Sequence, residues 1–185
     1  AIKMGMKVIG FDPEITVDAA WRLPSSVRRA HGIEELLKQS DFVTLHVPLT
    51  PATRGLLDPA RLAAMKAGSV LLNFARDGLV DEESLLAALR SGKIKYYLCD
   101  FPSARLIGEP GVIALPHLGA STEEAEENCA VMVVDQVREF LETGAIVNAV
   151  NFPNVEMARE SPYRVAIANA NVPNMLGQIS TTMAR

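Results

Sequence analysis

His117 stands at the end of a short apolar run, in Leu115-Pro116-His117-Leu118-Gly119-Ala120-Ser121-Thr122-Glu123-Glu124. An imidazole can exchange a proton near neutral pH. In an open parallel sheet, ligands collect at the carboxyl ends of the strands. A lone histidine after a proline is equally a packing or turn residue, so its neighbours in other runs decide what it is for. Arg76, in Asn73-Phe74-Ala75-Arg76-Asp77-Gly78, also follows an apolar run. A guanidinium there can hold a carboxylate in a two-pronged grip while polarising the adjacent carbonyl, or it can form a salt bridge to Asp77 or Asp100. Asp100 ends a further run, where it can orient a carboxamide or balance Arg76. Asp12, in Phe11-Asp12-Pro13, can accept hydrogen bonds from both ribose hydroxyls of an adenine dinucleotide and repel a 2′-phosphate, or it can simply make an Asp-Pro turn.

Arg76, Asp100 and His117 at three successive strand ends suit hydride transfer to or from a 2-hydroxy acid. The arginine anchors the carboxylate. The histidine takes the hydroxyl proton as hydride leaves the same carbon, and returns it in the reverse direction. His46-Val47-Pro48 ends one more run. Pro48 breaks the ladder there, so the loop through Thr53 can cover a cofactor. His46 itself reads as structural, because nothing beside it offers a proton relay.

These side chains need strands to present them. Apolar runs at Lys7–Phe11, Asp41–His46, Ser69–Ala75, Lys95–Cys99 and Val112–Leu115 read as parallel strands covered on both faces. Helical patterns alternate with them: a short one at Ile33–Leu37, then Pro59–Met65 with Gly68 beyond it, and Asp81–Arg90 stopped by Gly92. The longest runs from Thr122 to Glu142. Ser121 with Glu124 forms its expected capping box and Gly144 its stop. Ala125, Cys129, Met132, Val133, Val137, Phe140 and Leu141 make one stripe on it. The alternation predicts a doubly wound α/β sheet. After Val150 the pattern changes: a turn-rich link, a candidate strand at Tyr163–Ala168, a loop at Asn171–Asn174 and a helix at Met175–Met183. At the other end, Ala1–Met6 resembles the last turn of a helix feeding the first strand.

Bulk properties narrow the field. The 185 residues are 49% hydrophobic and carry a net charge of −4 with both signs interspersed, so no basic patch invites nucleic acid. No apolar run approaches a membrane span, and the N-terminus has no signal-peptide pattern. The two cysteines, Cys99 and Cys129, sit in apolar segments and read as buried free thiols of a reducing, cytoplasmic compartment. His31, His46 and His117 have no partners at metal-ligand spacing.

The chain resembles the D-isomer-specific 2-hydroxyacid dehydrogenases, and within them the branch acting on 3-phosphoglycerate. The matching stretches are Val8–Pro13, Ser40–Gly55, Met65–Arg76 and Leu115–Thr122, with Val150–Pro153 similar to the exit from that domain. The resemblance implies a Rossmann-like nucleotide domain over residues 1–155, NAD as cofactor, a homodimer or homotetramer, and a small 2-hydroxy acid substrate. It puts Arg76 on the substrate-anchoring arginine and His117 on the acid/base histidine. Asp12 falls on the ribose-binding acid and Asp100 on the aspartate near the nicotinamide. His46, Val47, Pro48, Thr53, Ala75 and Gly119 fall beside the cofactor. Residues 156–185 look like a linker and the opening βα unit of an α+β ACT-like regulatory domain, with Asn171 near its amino-acid effector turn.

Three departures from the family pattern stand out. The family's glutamate that pairs with the histidine has no counterpart in Asp100-Phe101-Pro102-Ser103-Ala104-Arg105, and Glu109 is the nearest acid. Without an acidic partner the imidazolium is less favoured. Asp77 replaces a usual glycine beside Arg76, where its carboxylate could compete with substrate. No G-x-G-x-x-G turn or strand precedes residue 7. The absent strand would lie centrally, between the strands near residues 9 and 43, leaving unpaired inner edges. The expectation is therefore a piece of a longer polypeptide, inactive and weak in dinucleotide binding by itself. Two other readings remain: a glycerate- or glyoxylate-type dehydrogenase, and a nucleotide-binding relic without chemistry.

Overall fold

The computed structural model describes residues 1–119, 121–156, 158, 160–163, 165–170 and 172–184. The chain divides into two compact units, Ala1–His117 and Leu118–Arg185.

The first unit is a parallel α/β assembly. After a 3₁₀ turn at Ile2–Met4 come β1 (Ile9–Gly10), α1 (Val17–Trp21), β2 (Arg28–Arg29), α2 (Ile33–Gln39), β3 (Phe42–Leu45), α3 (Pro59–Ala64), β4 (Ser69–Asn73), α4 (Glu82–Arg90), β5 (Ile94–Cys99) and β6 (Val112–Ala114). Each of the five apolar runs expected as strands between Lys7 and Leu115 contains one. α1 and β2 were not foreseen, since their sequences lack a run or stripe long enough to show. β3-β4-β5-β6 form one all-parallel sheet, and β1-β2 a separate parallel pair. Among the described residues β1 pairs only with β2, and β3 only with β4.

Side-chain alternation sets the core. Val43, Leu45, Leu71, Tyr97 and Cys99 share one face and pack against Leu37 of α2, Leu62 of α3, and Leu85, Leu86 and Leu89 of α4. Phe42, Tyr96 and Ile113 lie on the other face and are exposed. The expectation of strands covered on both sides thus holds for one face of this unit; α2–α4 all lie on the same side.

Local chemistry fixes the helix starts. Asp58 Oδ1 accepts from the Arg61 amide (2.8 Å) ahead of Pro59, and Asp81 Oδ1 from the Ser84 amide (2.9 Å). The two bonds from Ser84, side chain first, hold the Asp81 carboxyl below its ordinary value.

In the second unit, α5 (Glu123–Thr143) starts one residue later than the expected box. Thr122 caps it, its Oγ1 accepting from the Ala125 amide at 3.2 Å, while the Ser121 amide donates to Leu118 O. Gly144 ends it at φ 74°, a left-handed turn that favours glycine, and its N–H reaches Phe140 O. Met132, Val133, Val137, Phe140 and Leu141 of its stripe are exposed. Cys129 lies on this open helix and is exposed, against the expectation of burial; Cys99 is buried, and both thiols are free. α6 (Met175–Met183) forms where expected. The described residues of 163–168 form no strand, because no neighbouring backbone pairs with them. Asn171, and Arg164 within that candidate strand, lie outside the described residues. No described helix is long and apolar enough to cross a membrane.

Candidate active site

The site begins with Asn73. β4 is buried at every second residue, so its last side chain, Asn73, points into the core and is only 2% exposed. A buried amide must find partners. Asn73 Nδ2 donates to Arg76 O at 2.8 Å and to the Tyr97 hydroxyl at 3.4 Å, while its Oδ1 accepts from the Ala75 amide at 3.2 Å. One side chain therefore shapes the turn that carries Arg76. The sequence reading passed over it; the available signal was a polar amide closing an otherwise apolar strand.

That turn leaves the Arg76 guanidinium available. Its Nη1 donates to the neighbouring Ala75 carbonyl at 2.6 Å. Among the described residues it makes no ion pair, so neither Asp77 nor Asp100 claims it. Arg76 and Ala75 line one cavity of about 300 Å³ with His46, Val47 and Pro48 from the end of β3. All five were nominated from the sequence. The parallel pairing of Leu45 with Asn73 puts the two strand ends side by side. The loop after Pro48 is held by Thr53, whose hydroxyl donates to Pro48 O at 2.5 Å and accepts from the Thr50 amide at 2.8 Å. Thr53 thus fastens the loop and does not line the cavity. His46 bonds Thr44 Oγ1 at 3.1 Å through Nε2.

β5 ends on Cys99, and Asp100 follows it. His117 comes three residues after β6, which lies beside β5, and its Nδ1 is 2.8 Å from Asp100 Oδ2. A carboxylate only accepts, so this contact is a hydrogen bond when Nδ1 carries the proton, with Nε2 then turned away from the acid. The Phe101 ring packs on the imidazole, with centroids 4.1 Å apart and planes at 34°. The pair is unequally exposed, His117 at 46% and Asp100 at 12%. Asp100 Oδ1 is buried and, among the described residues, has no hydrogen-bond partner. Glu109 lies elsewhere: it binds Arg90 through Nε (2.8 Å) and Nη2.

Asp12 follows β1 as expected, but its Oδ1 accepts from the Glu14 amide at 2.9 Å, the bond of an Asp-Pro turn. Gly119, at φ 54°, belongs to the second unit. No cluster of potential metal ligands exists among the described residues.

Residues 1–119 match the family model described as D-isomer specific 2-hydroxyacid dehydrogenase, NAD binding domain. The chain is 37% identical to D-3-phosphoglycerate dehydrogenase of Methanocaldococcus jannaschii over 184 residues, covering 95% of this chain and 34% of that one. It is 38% identical to the Bacillus subtilis protein of the same name over 168 residues, 86% of this chain and 31% of that one. Among solved structures, holo D-mandelate dehydrogenase of Rhodotorula graminis superposes with a TM-score of 0.68 at 28% identity, over 83% of this chain and 47% of the other. The chain thus spans about a third of the length of these two phosphoglycerate dehydrogenases.

Proposed function

This chain belongs to the D-isomer specific 2-hydroxyacid dehydrogenase family through its NAD-binding domain, and from that premise we propose that it supplies the cofactor site and the proton-transfer histidine of an NAD-dependent enzyme oxidising D-3-phosphoglycerate at C2. The observation that carries the reading is the Asp100–His117 pair, in the same compact unit as a strand-end arginine left without an ion pair. The phosphoglycerate assignment draws its support from the relatives at 37% and 38% identity.

The residues present suit a nicotinamide. Asp100 Oδ1, buried and unpartnered, calls for an N–H donor such as a carboxamide. Val47, Pro48 and Ala75 offer apolar surface at the strand-end cavity, and Asp12 stands at the strand end where an acid meets the ribose. Bound NAD+ supplies the hydride acceptor. The chain's own residues do the rest. Arg76 grips the substrate carboxylate, which fixes C2 and its hydroxyl. His117 takes the hydroxyl proton at Nε2 and returns it in the reverse direction.

Residues 1–155 read as the nucleotide domain, and 156–185 as the linker and opening of an ACT-like domain that takes an amino-acid effector. The assembly expected is a cytoplasmic homodimer or homotetramer. The test is NADH formation by the full-length protein from D-3-phosphoglycerate, D-glycerate, glycolate and D-lactate. Highest kcat/KM for the phosphorylated acid supports the assignment; preference for an unphosphorylated acid moves the protein to another member of the family.

A further inference from the structure

The resemblance gives the histidine's acidic partner as a glutamate on the segment after β5, and here that segment has none. Residues 101–108 contain no acid, and Glu109, the first after Asp100, is held by Arg90 of α4 through two guanidinium nitrogens. Arg105 reaches Glu82 at 3.7 Å, so two ion pairs tie this segment back to α4. The carboxylate that does meet the imidazole is the one at the strand end itself.

We propose that Asp100 is the positioning residue of His117: through Oδ2 it fixes the imidazole with the proton on Nδ1 and leaves Nε2 as the proton acceptor. Three observations converge. The contact is short and involves the more buried partner as acceptor. Phe101, the next residue, closes over the ring face at 4.1 Å, so rotation about the histidine's outer bond meets an aromatic wall. Asp100 Oδ1 is buried and unpaired, so the carboxylate is not consumed by other protein groups. One side chain then does two jobs: Oδ2 orients the base, while Oδ1 stays open to a donor from the bound dinucleotide. The inference rests on the dehydrogenase reading for its catalytic meaning, although the ring orientation stands independently of which acid is oxidised.

The test is the tautomer of His117 in the full-length protein, read from long-range ¹H–¹⁵N NMR correlations of the neutral ring without substrate. The expected result is a proton on Nδ1; free imidazole side chains in water favour Nε2, so a proton on Nε2 overturns the proposal. Kinetics supply a second arm. Asp100→Asn should lower kcat by about 10²-fold with a much smaller change in hydroxy-acid KM, and Asp100→Glu should restore part of it. Glu109→Gln should leave both parameters unchanged; if it instead reproduces the Asp100→Asn loss, Glu109 is the partner and the proposal fails. A protein with the expected tautomer that fails to oxidise D-3-phosphoglycerate would refute the substrate assignment alone.

Discussion

His117 Nδ1 and Asp100 Oδ2 meet at 2.8 Å although 17 positions separate them in the chain. The parallel pairing of β5 with β6 brings them together, because adjacent parallel strands end side by side. The site is thus a product of sheet order, and its consequences can be measured residue by residue.

Removing the base should remove most of the turnover. His117→Ala in the full-length protein is expected to lower kcat by about 10²–10⁴-fold, the usual contribution of a positioned acid/base group. Dinucleotide affinity, followed by NADH fluorescence, should change little. Unchanged kcat would end the role assigned to His117.

Arg76 should matter through its fork as well as its charge. Arg76→Lys keeps a cation but loses the paired donors, so kcat/KM for the hydroxy acid should fall on the order of 10- to 100-fold. Asp77→Gly should not reduce kcat/KM, since Asp77 makes no ion pair with Arg76. Steady-state kinetics on the two variants check both statements.

Asn73 should behave as a support. Asn73→Ala takes the partner from the partly buried Arg76 carbonyl and Ala75 amide and leaves a gap where the buried amide stood, costing about 1–3 kcal/mol of stability. The Arg76 turn should also loosen, raising KM for the hydroxy acid more than it lowers kcat. Urea unfolding beside initial-rate kinetics separates the two effects.

Alkaline pH should unfold the protein by way of its core. Burial pushes the Tyr97 phenol above its ordinary 10.0 and the Cys99 thiol above its ordinary 9.0. The unfolded chain gives up these protons first, so their contribution to stability is whole below about pH 9 and is lost as pH rises toward the folded-state values. Thermal midpoints should fall between about pH 9 and 11, and less steeply in Tyr97→Phe. A flat profile would contradict the burial argument.

The sequence was legible where local pattern and tertiary environment agree. The runs around Val43, Leu71 and Leu98 became adjacent parallel strands, Pro59 opens a helix and Gly144 closes one as their chemistry said they would. His46, Val47, Pro48, Ala75 and Arg76 line one cavity because strand ends in a parallel sheet gather residues whose only common sequence mark is position. Three things were hidden. α1, at five residues, and β2, at two, are too short to carry a period. Asn73 looked like an ordinary strand terminus until its bonds were seen. The partner of His117 depended on which carboxylate was already taken: Glu109 was the nearest acid in sequence but stood closer to the next strand, and the fold shows that Arg90 holds it.

The most direct test is a structure of the full-length protein with NAD+ and D-3-phosphoglycerate bound. The Arg76 guanidinium should lie on the substrate carboxylate, with His117 Nε2 within about 3 Å of the C2 hydroxyl. A substrate that lies against one of these side chains and not the other would contradict it.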